Sequence, residues 1–316
     1  MQELGFAVEF AGIEDRQYSR EVLDADLIIT VSAVLPRIFR RINGTTAAFT
    51  CNTHVLVNNR RIIESSRKWR MPSEYFIMAP AQLKGYQQSD YLLIAENDLG
   101  IGNFLSNGIP IEKIKRYRNC IDSDVWVPSS SRRSKFTFVF WGSFVGLRKG
   151  LPALVAAWKE WYAGQDAELH LFGMPTSVSD LVFNGAREGN PVPGLFVHLR
   201  TYPAQDPAII EFLGSSHVGV FPTLEDAQPS TLMEMASCGL PIITTRESGI
   251  DFTPDFCRYV SRDGVGELKE AFQYWYDRRG RLEDHGREAR SYIQRHHIWK
   301  LHRERFSNII SEILAE

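Results

Sequence analysis

The sequence is poor in cysteine, in long apolar runs and in net charge, and each shortage excludes a class of protein. Its four cysteines, Cys51, Cys120, Cys238 and Cys257, are scattered and form no CxxC pair, whereas disulfide frameworks and zinc sites need clustered spacing. No apolar run approaches the ~18 residues that a membrane span needs. A net charge of −2 on 316 residues gives no general attraction to nucleic acid or membrane.

The N-terminus also lacks the features of a secretory signal. Residues 1–10, MQELGFAVEF, contain two glutamates and no basic residue, whereas a signal peptide begins with a positively charged segment. Together with the unclustered cysteines, this pattern favours a cytoplasmic protein with reduced thiols.

Short apolar runs alternate with amphipathic stretches along the chain. Strands are predicted at 26–32, 47–50, 91–95, 136–142, 168–173, 195–199 and 217–222. Helices are predicted between them, for example at 34–42, 58–70 and 151–162. This alternation predicts an α/β fold of parallel sheets with helices on both faces, and the length is sufficient for two such domains.

A boundary between the domains is predicted from Pro128 to Ser134, because this polar stretch directly precedes a strong strand. We expect a Rossmann-like domain over 1–128, a second one over 135–298, and a terminal helix over 299–316 that returns to the first domain. The pattern at residues 2–6 is typical of a helix end leading into a second strand. We therefore expect the first strand and its Gly-rich loop to be missing.

The most informative stretch runs from His217 to Thr245 and combines a strand, an acidic loop and a helix. Pro229 suits the first helical position. A backbone N–H there has no hydrogen-bond partner within the helix, so proline, which lacks this N–H, loses nothing. Gly239 is the usual stop at the end of a helix. The N–H groups of Ser230 and Thr231, with the helix dipole behind them, predict an anion site.

Two carboxylates flank this helix start. Asp226 lies in the loop just before it, and Glu234 lies about one turn into the helix on the side of Ser230 and Thr231. A carboxylate that faced a phosphate would be repelled, so hydrogen bonds to sugar and ribose hydroxyls are its suitable role. The arrangement predicts a site for a nucleotide diphosphate sugar.

The stretch FPTLEDAQPSTLMEMASCGLPII resembles the Glu-x7-Glu motif of retaining glycosyltransferases of the GT-B fold, family 4. Asp226 stands where the first Glu is usual, Glu234 matches the second, and Glu225 is an alternative for the first. The resemblance implies two facing Rossmann-like domains, in which Asp226 contacts the donor sugar and Glu234 the ribose hydroxyls.

Further segments resemble the same family. FVFWGSFVGLRKG is similar to its first strand of the second domain, with Gly142 and Ser143 opening the loop that follows. The resemblance implies that Arg148 or Lys149 binds the diphosphate in place of a metal ion. The segment IKRYRNCID is similar to the crossover between domains, with Cys120 where glycine is usual.

Two more positions complete the predicted site. The backbone near Arg200 and Tyr202 follows a strand at its carboxyl edge, where a nucleobase is expected. The segment from Thr50 to His54 resembles the family's T-x-H at a strand end. This resemblance implies that His54 faces the donor sugar, although a histidine at a strand end is often only a polar residue with its hydrogen bonds satisfied.

The stretch from Asn58 to Arg70 is basic, with apolar residues interleaved. It is compatible with a peripheral contact to anionic lipid at the inner membrane face, or with an ordinary solvated helix face.

The sequence as a whole predicts a metal-independent, retaining glycosyltransferase with no cofactor and no nucleic-acid partner. It would move a sugar from a UDP- or GDP-sugar to a glycan, a lipid-linked or a small-molecule acceptor. Without an evident nucleophile, a front-face route is favoured, in which the leaving phosphate takes the acceptor's proton. Three alternatives remain: a nucleotide-sugar-binding protein without turnover, a sugar-nucleotide epimerase, and a plain α/β scaffold.

Overall fold

The computed structural model of the chain describes residues 24–50, 52–73, 80–142, 146–173, 189–200 and 202–316. By their contacts these residues form two compact units. The first unit contains the described residues of 24–59, 80–118 and 300–316. The second contains those of 60–73 and 119–299.

The first unit is built on a four-stranded parallel sheet, in which the strands follow their order along the chain. The strands are β1 (Leu27–Val31), β2 (Thr45–Phe49), β3 (Tyr91–Ala95) and β4 (Ile114–Tyr117). The helices are α1 (Leu35–Ile38), the first residues of α2 (Val55–Trp69), α3 (Ala81–Gln88) and α4 (Asp98–Leu105). From Arg60 onwards α2 clusters with the second unit. Apolar residues of β2, β3, α3 and α4 share one core, for example Leu92 and Phe104. Parallel strands with buried interior residues of this kind need helices to cover them.

The second unit is built on a seven-stranded sheet of order β11-β10-β9-β5-β6-β8-β7. The strands are β5 (Phe136–Trp141), β6 (Ala167–Phe172), β7 (Gly189–Val192), β8 (Leu195–His198), β9 (Val218–Phe221), β10 (Ile242–Thr244) and β11 (Cys257–Tyr259). The helices are α5 (Leu151–Trp161), α6 (Pro207–Ser215), α7 (Ser230–Ser237), α8 (Val265–Asp277) and α9 (Leu282–His296). All strand pairs in it are parallel except β7 with β8.

The last helix, α10 (Trp299–Ala315), clusters with the first unit from Lys300 onwards. Arg305 of this helix forms an ion pair with Glu96 at the end of β3. Directly after α10, the Oε1 atom of Glu316 lies 2.7 Å from the Nζ atom of Lys115 on β4. The described helix from Lys300 onwards thus belongs to the first unit.

The fold class predicted from the sequence is confirmed, since both units are α/β with parallel sheets. The antiparallel strand β7 departs from the expected pattern. The two units also differ from the predicted domain limits, because residues 60–73 and 119–128 cluster with the second unit. Ile62 packs there with Leu147 and Leu224, and the hydroxyl of Ser237 donates to the carbonyl of Trp126 at 2.7 Å. The expectation of a missing first strand concerns residues outside the described part of the chain.

Candidate functional site

The strand order of the second sheet reverses direction between β5 and β9. From β5 the chain continues through β6 to β8 on one side, and it then crosses to β9, β10 and β11 on the other. In open α/β sheets a ligand binds outside the carboxyl ends of the strands at such a switch point. Trp141 ends β5 and Phe221 ends β9, so the loops that follow these two residues define the candidate site.

The loop after β5 carries the two predicted cations into this site. Gly142 follows the strand, whereas Ser143 lies outside the described residues. Gly150 ends the loop with a φ of 74° and caps α5, a backbone conformation that glycine adopts without strain. A Cβ atom at Gly150 would overlap the carbonyl oxygen of Pro222. Glycine is therefore required here, and its close approach holds the loop against the end of β9.

Lys149 and Asp226 form a buried ion pair. Burial lowers the pKa of the Lys149 ammonium to about 8, against the opposing effect of Asp226. Arg148 adds a second cation, with Nη1 at 3.8 Å from Asp226 Oδ2. The N–H of Asp226 donates to the carbonyl of Glu247 at 2.9 Å, which fixes the loop that carries the carboxylate. The structure thus brings the predicted diphosphate ligands and the first predicted carboxylate together.

Glu225, the alternative for that first carboxylate, has a different partner. Its side chain is buried and forms an ion pair with the buried guanidinium of Arg61 on α2. Burial, followed by the nearby charge of Arg262, lowers the pKa of Arg61 to about 10, so the guanidinium remains cationic at neutral pH. Glu225 is therefore committed to Arg61, and Asp226 is the carboxylate on the cation side.

Two buried hydroxyl groups, one at the start of α7 and one in the turn after β10, have no partner in the described part of the chain. The Oγ1 atom of Thr231 and the Oγ atom of Ser248 are buried without a hydrogen bond. Buried polar atoms in proteins are almost always hydrogen-bonded. Two orphan hydroxyls near the unpaired N–H groups of a helix start therefore point to an oxygen-rich, anionic ligand.

The second residue before this helix start is held by long-range hydrogen bonds. Gln228 has a φ of 55°. Its side-chain carbonyl accepts from the N–H of Asn119, and its main-chain carbonyl accepts from the Asn119 amide, both at 2.9 Å. The segment that resembles the family's crossover thus positions the start of α7.

Glu234 lies one turn inside α7 and is bound to the end of β5. The indole N–H of Trp141 donates to Glu234 Oε2 at 2.6 Å. Burial raises the pKa of Glu234 to about 7, although hydrogen bonds from Trp141 and Ser230 lower it. One carboxylate oxygen is thus occupied by the indole, and the carboxylate keeps further lone pairs for a ligand hydroxyl.

The predicted nucleobase contact lies beside this pair. The guanidinium of Arg200 lies 4.3 Å from the ring centroid of Tyr202. The Tyr202 ring meets the ring of Trp141 edge-on at 6.0 Å and that of Phe172 at 5.7 Å. Aromatic rings and a guanidinium at a strand edge form a surface on which a base can stack.

His54 is placed differently from the other predicted residues. Its side chain is fully buried in the first unit, with ring centroids 5.3 Å from both Tyr86 and Phe104. Burial lowers the pKa of His54 to about 4, so the ring is neutral at physiological pH. This environment is that of a core residue, and the predicted contact with the donor sugar stays a prediction.

The basic stretch from Asn58 to Arg70 forms most of α2. Ile62 is fully buried, and the indole of Trp69 donates to Asp263 Oδ1 at 2.8 Å. Ile62 therefore packs inside the protein, and Trp69 is partly buried and packs against the core. None of the described helices combines the length and apolarity that a membrane-spanning helix requires. Among the residues described, no three His, Cys, Asp or Glu side chains are grouped as metal ligands.

Sequence reasoning missed two side chains that shape the site. The sequence pattern predicts Trp141 only as part of a strand, although an aromatic residue directly before Gly142 at a strand end is a local signal for it. The pattern around Arg61 predicts only a basic helix face, and nothing near it in the sequence indicates a buried partner as distant as Glu225.

The described site thus has the features of an α/β domain that binds a phosphorylated ligand at its sheet edge. Residues 135–272 match the sequence model of the family described as "Glycosyl transferases group 1". This stretch contains every predicted site residue except His54. No curated protein sequence matches the chain.

Solved structures resemble the chain over most of its length. The sucrose-phosphate synthase of Thermosynechococcus elongatus has a TM-score of 0.72 and 14% identity over 92% of this chain and 74% of its own. WaaG, a glycosyltransferase involved in lipopolysaccharide biosynthesis, has a TM-score of 0.60 and 13% identity over 86% and 79%. An α,α-trehalose-phosphate synthase (UDP-forming) from Burkholderia xenovorans, in complex with glucose-6-phosphate, has a TM-score of 0.63 and 10% identity over 90% and 72%.

At these identities the likeness shows the fold, which is the GT-B fold with two Rossmann-like domains. The match to the group 1 glycosyltransferase model lies within the second unit.

Proposed function

We propose that this protein is a retaining glycosyltransferase that transfers a sugar from a UDP- or GDP-sugar to a glycan, a lipid-linked or a small-molecule acceptor. The observation that carries the proposal is the convergence at the β5–β9 switch point. There, the cations of residues 148 and 149, the start of α7 with its orphan Thr231 hydroxyl, and the Glu234 carboxylate meet on one unit.

Each group has a role in binding the donor. The diphosphate would sit on the N–H groups of Ser230 and Thr231, where the helix dipole favours negative charge. Arg148 and Lys149 would neutralise the charge that grows on the leaving diphosphate in the transition state. The remaining acceptor sites of Glu234 suit the ribose hydroxyls, and Tyr202 with Arg200 suits the base.

Asp226 would bind a hydroxyl of the donor sugar while it shares Lys149 with the diphosphate. The pKa of Lys149, about 8, leaves the ammonium protonated at neutral pH. Phosphate and Asp226 can then both accept hydrogen bonds from its three N–H groups.

The reaction would follow a front-face route without a metal ion. The bond between the anomeric carbon and the leaving phosphate oxygen breaks, and the acceptor oxygen bonds to the same face of that carbon. The proton of the acceptor hydroxyl passes to the leaving phosphate oxygen. The group 1 match supports sugar transfer, and the UDP-forming trehalose-phosphate synthase among the structural relatives supports a nucleoside diphosphate as leaving group.

The test is incubation of the full chain with a panel of UDP- and GDP-sugars and candidate acceptors. We expect nucleotide release with at least one donor, product with the donor's anomeric configuration by NMR, and no loss of rate with a chelator. Glu234→Ala should lose nucleotide affinity, whereas Glu270→Ala, an exposed position on α8, should retain it.

Each other outcome of this experiment points to a specific alternative. Tight nucleotide binding without turnover of any donor would identify a binding protein. An epimerised donor recovered without transfer would identify an epimerase.

We further propose a cytoplasmic location, with any membrane contact restricted to lipid headgroups. Ile62 is buried and the Trp69 indole is bound to Asp263, so within the stretch from Asn58 to Arg70 the contact would use exposed cations such as Arg60 and Arg67. Such a contact is purely electrostatic and weakens with salt. Cosedimentation with anionic vesicles that persists at high salt would contradict this restriction.

A further inference from the structure

Trp141 connects the carboxylate assigned to the ribose with the ring assigned to the base. It is the last residue of β5, and its side chain is largely buried at the carboxyl edge of the second sheet. Its indole N–H donates to Glu234 Oε2 at 2.6 Å. Its ring meets the ring of Tyr202 edge-on, with the two centroids 6.0 Å apart. One rigid side chain therefore contacts both parts of the proposed nucleoside site.

The hydrogen bond between Trp141 and Glu234 has a fixed direction. An indole N–H donates and cannot accept, whereas a carboxylate accepts through both of its oxygens. A hydrogen bond from an N–H to an ionised carboxylate is stronger than one between neutral groups. Trp141 therefore holds one oxygen of Glu234 and stabilises its ionised form, and the carboxylate keeps lone pairs for a ligand hydroxyl.

The indole is itself held in place by the sheet. Trp141 is paired with Phe172 in the register of β5 and β6, and the ring of Phe172 also packs edge-on against Tyr202 at 5.7 Å. A glutamate side chain loses conformational entropy when it is ordered. Because Trp141 already orders Glu234 in the free protein, a ribose meets an acceptor that is oriented before it binds.

The other groups around α7 leave this bond as a main influence on Glu234. The strands β5, β9 and β10, on which α7 packs, are described in full and contain no ionisable side chain. Arg290 of α9 and Arg132 donate to main-chain carbonyls at the C-terminal end of α7. Burial raises the pKa of the Cys238 thiol to about 12, so it is neutral. Burial also raises the pKa of Glu234, and the hydrogen bond from Trp141 opposes this effect.

We propose that Trp141 is a positioning residue for donor binding, and that it determines the preference of the site for a ribonucleotide over a deoxyribonucleotide. It acts through Glu234, whose carboxylate it orients towards the ribose hydroxyls. The proposal rests on the proposed function, since the site must bind a nucleoside diphosphate for this preference to exist.

The first test compares UDP and GDP with their 2′-deoxy analogues by titration calorimetry on the full chain. We expect wild type to bind at least one of the two ribonucleotides. Its deoxy analogue should bind about tenfold or more weakly at pH 8, since the carboxylate then loses a hydroxyl partner. Trp141→Phe keeps an aromatic ring beside Tyr202 and removes the N–H donor. It should reduce the discrimination between the two ligands about fivefold or more.

Trp161→Phe is the matched control for this variant. Trp161 is buried in the same unit to a similar extent, and its indole N–H donates to Gln273 Oε1 at 2.9 Å on α8. The control therefore loses the same ring and the same kind of hydrogen bond, but not the bond to Glu234. It should discriminate between the two ligands as wild type does.

The pH profile of the discrimination gives a readout that a purely structural role of Trp141 would not change. The ratio of the two dissociation constants cancels the titration of the phosphates, Lys149 and Asp226, because the ligands differ only in the 2′-hydroxyl. The pKa of Glu234 is about 7, so discrimination by wild type should rise with pH through this value. Removal of the indole donor destabilises the ionised carboxylate. The midpoint should therefore move to higher pH in Trp141→Phe.

A second measurement needs neither nucleotide nor a change of Trp141. The chain has seven tryptophans, so the indole signals of ¹⁵N-tryptophan-labelled protein can be assigned by replacing the other tryptophans one at a time. The Nε1–H signal of Trp141 should titrate with a midpoint near the pKa of Glu234, and this titration should be absent in Glu234→Gln. A signal that does not titrate, or that titrates equally in Glu234→Gln, overturns the proposal.

The outcomes separate this proposal from the proposed function. If a ribonucleotide binds but Trp141→Phe keeps the discrimination and the pH midpoint of wild type, the role of Trp141 is overturned and the donor site stands. If neither ribonucleotide binds to wild type, the proposed function fails and the role of Trp141 fails with it. If the discrimination depends on Trp141 but no donor sugar is turned over, the transferase function fails and the role of Trp141 in nucleotide binding stands.

Discussion

Glu234 should make the free protein less stable at neutral pH, because its carboxylate is held in a site that disfavours charge. Burial raises its pKa from 4.5 to about 7, and each unit corresponds to about 1.4 kcal/mol. In an unfolded chain the carboxyl loses its proton near its ordinary pKa, whereas the folded protein keeps it until about pH 7. Stability is therefore lost as pH rises between these two values, by about 3 kcal/mol in total.

Glu234→Gln removes this titration and keeps an oxygen that accepts from the Trp141 indole. We expect the free energy of unfolding of the variant, relative to wild type, to increase by about 2–3 kcal/mol between about pH 5 and pH 8. The same variant should bind nucleotide about tenfold or more weakly, since a charged acceptor is lost. A residue that destabilises the free protein and binds the ligand is expected at a functional site.

Urea unfolding at both pH values measures the first effect, and nucleotide titration the second. Other groups titrate equally in the two proteins, so they cancel in the difference. A constant difference in unfolding free energy from pH 5 to pH 8 would refute the raised pKa. Unchanged nucleotide affinity would refute the ribose contact.

Three further predictions test the framework around the site. Lys149→Met should lower the free energy of unfolding, measured in urea, by about 3 kcal/mol, because it leaves Asp226 buried without its main partner. The double variant with Asp226→Asn should recover most of that loss. A double variant as unstable as Lys149→Met would contradict the pairing. Gly150→Ala should cost about 3 kcal/mol or more, against about 1 kcal/mol for Gly164→Ala. Both glycines have positive φ, but only the first has a neighbour that a Cβ would overlap, so equal costs would contradict the packing argument. Burial raises the pKa of Glu96, but its two arginine partners outweigh this effect, so the net pKa is lowered. Glu96→Gln should therefore lower the free energy of unfolding by about 1 kcal/mol at neutral pH. In acid it should have no effect, because the wild-type carboxyl is then protonated and uncharged like the amide.

The sequence between His217 and Thr245 predicts its own structure closely, because every signal in it is local. The strand, the proline before the helix and the glycine after it are all determined by steric interactions between residues close in sequence. The structure has β9 at Val218–Phe221, α7 at Ser230–Ser237 and a positive φ at Gly239. The positions of the candidate cations and of Glu234 followed from these local signals and the family resemblance.

The partners of these residues could not be predicted, because they come from distant parts of the chain. Nothing in the sequence around Glu225 indicates that Arg61 neutralises it. The resemblance to the family motif implies only that Glu225 is an alternative to Asp226 as the carboxylate that contacts the donor. Likewise, a T-x-H pattern does not reveal whether a histidine faces solvent or packs against Tyr86 and Phe104. Periodicity shows which residues are buried, but the choice of partner depends on the packing of elements far apart in sequence.

The ion pairs around Asp226 suggest how the free site is prepared for its ligand. A buried carboxylate and ammonium lose much of their hydration when the protein folds, and the cost is offset only by their mutual attraction. The diphosphate would therefore meet a Lys149 that is already desolvated and oriented, and it would need only to share the ammonium with Asp226. Groups fixed in this way need no reorganisation when charge develops. Asp226, shorter than the usual glutamate by one methylene, is suited to this pairing with Lys149. We therefore expect Asp226→Glu to change how the carboxylate divides its contacts between the Lys149 ammonium and the donor sugar. This change would appear as a change in kcat larger than any change in nucleotide affinity.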